Sequence, residues 1–569
     1  MELVKREWPQ QWPSLLQELD TLCRQGETQT ELVMFVLLRL VEDVVLLQTL
    51  ENNQRRKEIY GELTSNMEQI FTFLLGLLEK HYGAYKTSGN AEHCRVSMAI
   101  LNTFTALVEW VNIQHVMANE KYLLRCLTHL LSDPRLQLAA GECLLGIVGW
   151  KAGKMTERAQ LLCLFDTDMM VPLFAATENA EKHKLDCDHY NFLKKMVEIL
   201  TGLGEQLCVL WTKESPRSLP NLTTYLDALL SFSRHPSQSV NLYANELWAK
   251  FFRHADISQD PTFLSYQPKW IEIALRKVVK IGYPERDDHP ACSYSQLDFD
   301  NDEEFLAFFL KYRLCILENV RVVATAQPLL PLTLLDQWLR STISKPSPDM
   351  TDLEAISTLL DSTFSKLVKI EQVQPVSHLA VPLLQLLLSH PSTSPSILSE
   401  LLSCISALFS VVLLAPDALS PILTRIFIPL STPSDHSKEI RTLRRHSCSL
   451  LVKLGTKFPA ILLPSFTFLQ GEIFRLNTAG LLSKMEHCTL MEALVIISNQ
   501  LGNYDRQAIF LGELLGPVLD QLRSLEAAYR DPALFMEFVG LTSAPVVSDK
   551  KVDNGDQFGQ NRSVMRLET

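Results

Sequence analysis

Paired cysteines are missing from this chain. Its 12 cysteines stand singly, none in a CxxC spacing, and most sit inside apolar runs such as LLRCLTHLL and LLSCISALF. That pattern offers no disulfide framework, and it predicts reduced thiols in an intracellular compartment. A membrane-length hydrophobic run is missing too. LVMFVLLRLVEDVVLL is interrupted by Arg39, Glu42 and Asp43, SALFSVVLLA is too short to span a bilayer, and no signal-peptide pattern opens the chain. A soluble protein without membrane insertion is expected. Enzyme signatures are lacking. There is no Walker loop, HExxH, GxSxG or kinase set, and Gly202-x-Gly204 follows no strand. Cys187 and His189 in LDCDHY lack a second ligand pair, and His487-Cys488 reads as packing or surface. No catalytic residue, metal or cofactor is therefore assigned. Positive charge is in deficit: 53 Lys and Arg stand against 65 Asp and Glu, a net charge of −12. This excludes wrapping of nucleic acid by the whole surface. It leaves room for a local basic site, and it suits partners with basic patches.

What is present is helical periodicity. Apolar positions recur at steps of three and four through most of the 569 residues, and no stretch alternates convincingly as a strand. Ile59, Leu63, Met67, Ile70, Leu74 and Leu78 form one such stripe. An apolar helix, a proline-bearing turn and a second apolar helix recur about every 40 residues. The unit reads LSDPRLQLAAGECLL with Asp133-Pro134, and SFSRHPSQSVNLYANELWAKFF with His235-Pro236. It returns as LLSHPSTSPSILSELLSCISALF with Pro391 and Pro395, and more loosely as LLAPDALSPILTRIF. Ala139, Ala140 and Gly141 are small enough for close helix approach. Length alone would suggest about three or four ordinary domains. The repeat predicts instead an all-α, HEAT/armadillo-like superhelix, an α-solenoid of about 22 helices with a concave inner face. The expected divisions are repeats over 1–281, an acidic loop over 282–304 and a helix pair over 305–340. A Ser/Pro-rich linker over 341–352, further repeats over 353–540 and a polar tail over 541–569 follow.

Two segments carry charge in a pattern. In Ser437–Lys457, Ile440, Leu443, Ser447, Leu450 and Leu454 mark a buried stripe, while Lys438, Arg441, Arg445 and Ser449 recur on another face. Three cations and a hydroxyl in a row are either a solvated face or a local anion-binding surface. The segment Gly282–Phe305 gathers Asp287, Asp288, Asp298, Asp300, Asp302, Glu303 and Glu304. It lacks the glycine and the closing glutamate of an EF-hand loop. A solvated insertion and a docking element for a basic partner are both open.

Several blocks resemble a known family. KREWPQQWPSLLQEL resembles the EWP..WP helix of the exportin branch of the karyopherin-β family. LDFDNDEEFLAFFLKYR resembles the loop and helix found midway in that family. RTLRRHSCSLLVKL and MEHCTLMEALVIISNQLGNYDRQ follow in the family's order. The resemblance implies a nuclear export receptor that shuttles between nucleus and cytoplasm, binds Ran in its GTP form together with cargo, and meets nucleoporins on the way. The blocks match most closely the exportins whose cargo is double-stranded RNA with a 3′ overhang, namely precursor microRNAs and also tRNA. Such receptors read RNA shape: phosphates meet basic inner faces and the overhang enters a basic tunnel. The resemblance places the tunnel's arginine and serine at Arg445 and Ser449, and puts Lys484 where the family has a glutamine. Arg441 and Lys438 extend that face by spacing. Asp298, Asp300, Asp302, Glu303 and Glu304 are the expected contacts to Ran or another partner. Members of the family carry further repeats before the EWP helix and beyond the point where this chain stops, so a fragment or truncated isoform is expected. The rival reading is an α-solenoid scaffold or protein-cargo transport receptor without RNA contact, which the acidic balance favours.

Overall fold

The computed structural model describes residues 2–50, 52–151, 154–182, 186–211, 219–281, 290–391, 394–432, 437–539 and 541. Among the described residues every regular element is a helix. They divide into two compact units, Met1–Val323 and Ala324–Thr569.

In the first unit the helices stand in two rows. Glu27–Val41, Ala91–Val108, Gln137–Val148, Cys187–Leu210 and Gln238–Arg253 pack in that order, each on the next. The second row runs Met67–Ser88, Ile113–Leu130, Thr167–Lys182, Leu222–Arg234 and Pro261–Lys277. Each helix therefore needs more than one apolar stripe, because it meets its own pair-mate and the next repeat. The Ile59-to-Leu78 stripe is buried throughout, although Asn66 breaks it into Asn53–Ser65 and Met67–Ser88. Gly202 and Gly204 are packing residues. A Cβ at Gly204 would lie 2.5 Å from Leu247, and one at Gly202 would lie 2.9 Å from Val148.

Buried polar groups close the far end of this unit. Tyr312 donates to Asn241 Oδ1 at 2.9 Å, Trp270 Nε1 to Asn245 Oδ1 at 3.0 Å, and Asn319 Nδ2 to the Asn245 carbonyl at 2.8 Å. Asn241, Asn245 and Asn319 are almost fully buried, so each bond replaces one that water would otherwise make.

In the second unit Met350–Phe364, Pro395–Ala407, Lys438–Lys457 and Lys484–Ser498 form one row, each packed on the next. Leu329–Ile343, Ser377–Ser389 and Leu419–Ser431 pack in order behind it.

Three polar stretches are more helical than their composition suggests. The polar stretch HYGAYKTSGNAEH is mostly helix: Met67–Ser88 runs through it and stops at Gly89, whose φ of 67° is the left-handed cap that glycine takes readily. The 341–352 linker narrows because Leu329–Ile343 enters it and Asp349 caps Met350–Phe364. The acidic loop is corrected over its second half. Residues 282–289, including Asp287 and Asp288, lie outside the described residues, but Pro290–Asp298 is a helix. Ala291, Cys292 and Ser295 form its buried side, a stripe too small and polar to stand out in the sequence. Phe299 then packs on Phe305 and Phe308 with ring centroids 5.6 and 4.7 Å apart, so the turn before Asp302–Ala326 is fixed. Among the described residues no single helix is long and apolar enough to cross a membrane.

Candidate anion-binding face

The helix Lys438–Lys457 begins at Ser437, whose hydroxyl accepts from the Ile440 N–H at 3.3 Å. It buries two adjacent stripes: Leu443, Ser447, Leu450 and Leu454, and beside them Arg444, Cys448, Leu451 and Gly455. The second stripe exists because the helix is flanked on two sides, by Pro395–Ala407 and by Lys484–Ser498. Gly455 lies in the second contact, where a Cβ would meet Ile497 and the Ala493 carbonyl at ordinary van der Waals distance. Lys438, Arg445 and Ser449 are exposed, and Arg441 and Ile440 are half-buried.

Arg444 is the side chain that fixes this arrangement. It is 1% exposed. Nε donates to Glu486 Oε1 at 2.8 Å and Nη2 to Glu486 Oε2 at 3.0 Å. Nη1 reaches the carbonyls of Pro429, Leu430 and Thr432 at 2.9, 3.3 and 2.9 Å, and Nη2 also reaches Leu481 O at 2.6 Å. All five guanidinium N–H groups are thereby used. Glu486 is 6% exposed. Its Oε2 also accepts from the Ser483 N–H at 2.8 Å, closing the capping box of Lys484–Ser498. Burial alone would raise the Glu486 carboxyl, but the bonds from Arg444 and Ser483 leave it below the usual carboxylate range.

Arg445 points away from this network. Among the described residues Lys438, Arg445 and Lys484 take no ion-pair partner. Lys484 is exposed at the first position of its helix. A cation there opposes the helix dipole, so side chain and helix end both favour an anion. Ser449 donates to the His446 carbonyl at 2.8 Å, which leaves its oxygen outward. Further along, Lys453 donates to Asp361 at 2.8 Å and Ser406 at 3.1 Å, so its charge is partly neutralised. His446 Nδ1 lies 2.9 Å from the Ser399 hydroxyl, and burial pushes its pKa down. Burial and then Lys453 also lower the pKa of Lys457. Helical spacing places Lys438, Arg441 and Arg445 on one face but does not single out Arg444. Its only available signal was an arginine in register with Cys448, Leu451 and Gly455.

The acidic residues divide. Asp298 faces inward with a side chain 6% exposed: Lys194 Nζ donates to Oδ1 and the Tyr190 hydroxyl to Oδ2, both at 2.5 Å. Burial, and then Asp298, push the Tyr190 phenol well above its usual pKa. Asp298 is a tie within the fold. Asp300, Asp302, Glu303 and Glu304 are exposed. Asn301 caps the Glu304 N–H at 2.9 Å, and Glu304 accepts from the Asp300 N–H at 3.1 Å. Among the described residues no group of three or more His, Cys, Asp or Glu is placed to hold a metal ion.

Comparison with known proteins follows the same lines. A family model described as the exportin-5 family matches residues 187–548, and one described as exportin 1-like protein matches residues 1–144. Exportin-5 of Homo sapiens is 37% identical over 99% of this chain and 50% of its own length. Protein HASTY 1 of Arabidopsis thaliana is 23% identical over 91% of this chain and 48% of its own length. The chain spans about half the length of the curated relatives it matches. A solved structure of importin 13 in its cytosolic state has a TM-score of 0.65 over 99% of this chain and 65% of that one, at 12% identity. That is a likeness of fold, and the fold is the helical-repeat solenoid of the karyopherins. With a family model covering more than half of its length, the chain belongs to the exportin-5 family.

Proposed function

We propose that this chain is the part of a nuclear export receptor that holds structured RNA by its end, with Arg445 and Ser449 on a single-stranded 3′ overhang and Lys438, Arg441 and Lys484 on neighbouring phosphates. The observation that carries this reading is the exposed, unpaired Arg445 beside a fully buried Arg444. A guanidinium can fork across two phosphate oxygens, and a serine hydroxyl can bond a terminal ribose or phosphate. Precursor microRNA and tRNA share that chemistry: an A-form stem read by shape and an end read by contact. The mechanism is binding alone, with no covalent step. Ran in its GTP form is the coupled partner, and each ligand raises affinity for the other by the same factor. Shuttling between nucleus and cytoplasm follows from that cycle.

The test is binding of a hairpin RNA with and without a 3′ overhang, with and without Ran-GTP. The overhang should strengthen binding, and Arg445→Glu should abolish that preference with a loss of about tenfold or more. Equal affinity for both hairpins in the wild type would end the RNA reading. The second reading is a protein-cargo receptor, favoured by the exposed Asp300, Asp302 and Glu303, which take no cation partner among the described residues. Under it, Arg441→Glu and Arg445→Glu leave cargo binding unchanged.

A further inference from the structure

We infer that the buried Arg444–Glu486 pair is a positioning device for the anion-binding face: it fixes the register between the helix that carries Arg445 and Ser449 and the helix that carries Lys484. The inference rests on the RNA reading above. Arg445 is the next residue after Arg444, about 100° around the helix. Lys484 stands two residues before Glu486, in the same first turn. One carboxylate therefore caps the Lys484 helix and grips the Arg445 helix, with bonds of 2.8 and 3.0 Å to Arg444. The same guanidinium holds the C-terminal carbonyls of Leu419–Ser431, at Pro429 and Leu430. Apolar side chains of similar volume often replace a buried ion pair without loss of stability, so stability alone does not account for the pair. A planar fork adds orientation: a helix that slid or rotated by a fraction of a turn would break several bonds at once. Holding two phosphate-facing cations at a fixed separation is what a strand of regularly spaced phosphates requires.

The test uses this chain and two synthetic hairpins, one with a single-stranded 3′ extension and one blunt. Glu486→Gln keeps the size and Arg444→Lys keeps the charge, and both weaken the fork. Both should stay folded by circular dichroism and bind the extended hairpin about 3- to 30-fold more weakly, the range for residues that act through a neighbour. The blunt hairpin should bind as before. The slope of log K against log salt should flatten, because fewer cations reach phosphate. A loss of folded protein alone lowers the active fraction and leaves the slope unchanged, and that result would overturn the inference. So would wild-type affinity and slope in both variants while Arg445→Glu still loses the overhang preference. If Arg445→Glu itself changes nothing, it is the RNA reading that fails. Should either single variant not fold, the apolar double Arg444→Met/Glu486→Met replaces it with the same expectation. If that also fails to fold, the pair is simply a stabilising contact and the inference falls.

Discussion

Burying Asp298 costs its hydration, and Lys194 and Tyr190 offset that cost by donating to one oxygen each. Asp298→Ala leaves both donors without that acceptor, although Tyr190 keeps its contact with the Ser237 hydroxyl at 2.7 Å. Lys194 retains some solvent access, so the expected loss is modest, about 1–3 kcal/mol. It should be local: hydrogen exchange should quicken at the amides of Pro290–Asp298, and unchanged protection there would show that Asp298 holds nothing. His81 and His235 make a pH-dependent contribution. Burial is the main cause that lowers each to about 4 from a usual value near 6.5. Between those values the unfolded chain binds more protons than the folded one. Stability is therefore full above about pH 6.5 and falls as the pH drops towards 4, by about 2 kcal/mol per histidine at pH 5. Urea unfolding at pH 7.5 and pH 5 should show the drop, and His81→Phe should shrink it. A drop that His81→Phe leaves untouched would mean that other groups cause it. Arg444 and Arg445 show where residue-level reading of the sequence stops. Periodicity identifies the stripe led by Leu443, Ser447, Leu450 and Leu454. The stripe of Arg444, Cys448, Leu451 and Gly455 carries too much polarity to be recognised without knowing that a second helix covers it.

Four helix C-termini in this protein are finished by donors from neighbouring helices. Gln206 Nε2 donates to Val148 O at 2.8 Å and Trp150 O at 2.9 Å, closing Gln137–Val148. Lys277 Nζ donates to Arg234 O at 2.8 Å and His235 O at 2.6 Å, closing Leu222–Arg234, and burial lowers its pKa to about 8. Arg425 bonds the His390 carbonyl after Ser377–Ser389, and Arg444 serves Leu419–Ser431. Four repeats thus satisfy otherwise orphaned carbonyls by long-range donors. Helices and proline-bearing turns were legible from local pattern, because each element's stripe lies within its own sequence. These capping donors were not, since each donor sits on a different helix from the carbonyls it serves, for Gln206, Lys277 and Arg425 about a repeat or more away. Close approach within a row was half legible: Gly202-x-Gly204 follows no strand and is no nucleotide loop, but its packing role needs the partner helices. Gly204→Ala should cost about 1–3 kcal/mol by overpacking against Leu247. Gly83→Ala, with nothing within 4 Å of the new methyl, should stabilise its helix by up to about 1 kcal/mol. Thermal unfolding midpoints should therefore move in opposite directions. A matched pair of shifts would contradict the close approach.

At the scale of the whole molecule, net charge and the candidate site have opposite sign. A chain of net charge −12 repels a phosphate backbone at long range. At 0.15 M ionic strength charges are screened over about 8 Å, so the repulsion fades and the contacts of the local face decide binding. Those contacts are few. Lys438, Arg445 and Lys484 are three exposed cations, Arg441 beside them is half-buried, and Lys453 is already held by Asp361 at 2.8 Å. On the RNA reading counterion release then sets the salt dependence: the three exposed cations on single-stranded RNA give a slope of log K against log salt of about −2. A surface that wrapped RNA through many phosphates would give a steeper one. Arg445→Gln should reduce the slope by slightly less than one and lower affinity most for an RNA with a 3′ extension. Glutamine replacement of Lys311, which pairs with Glu246 at 3.8 Å in the other unit, should change neither. Titrations between 50 and 300 mM salt separate the outcomes. A wild-type slope near −10, or one insensitive to Arg445→Gln, would place the RNA contacts outside the helix Lys438–Lys457.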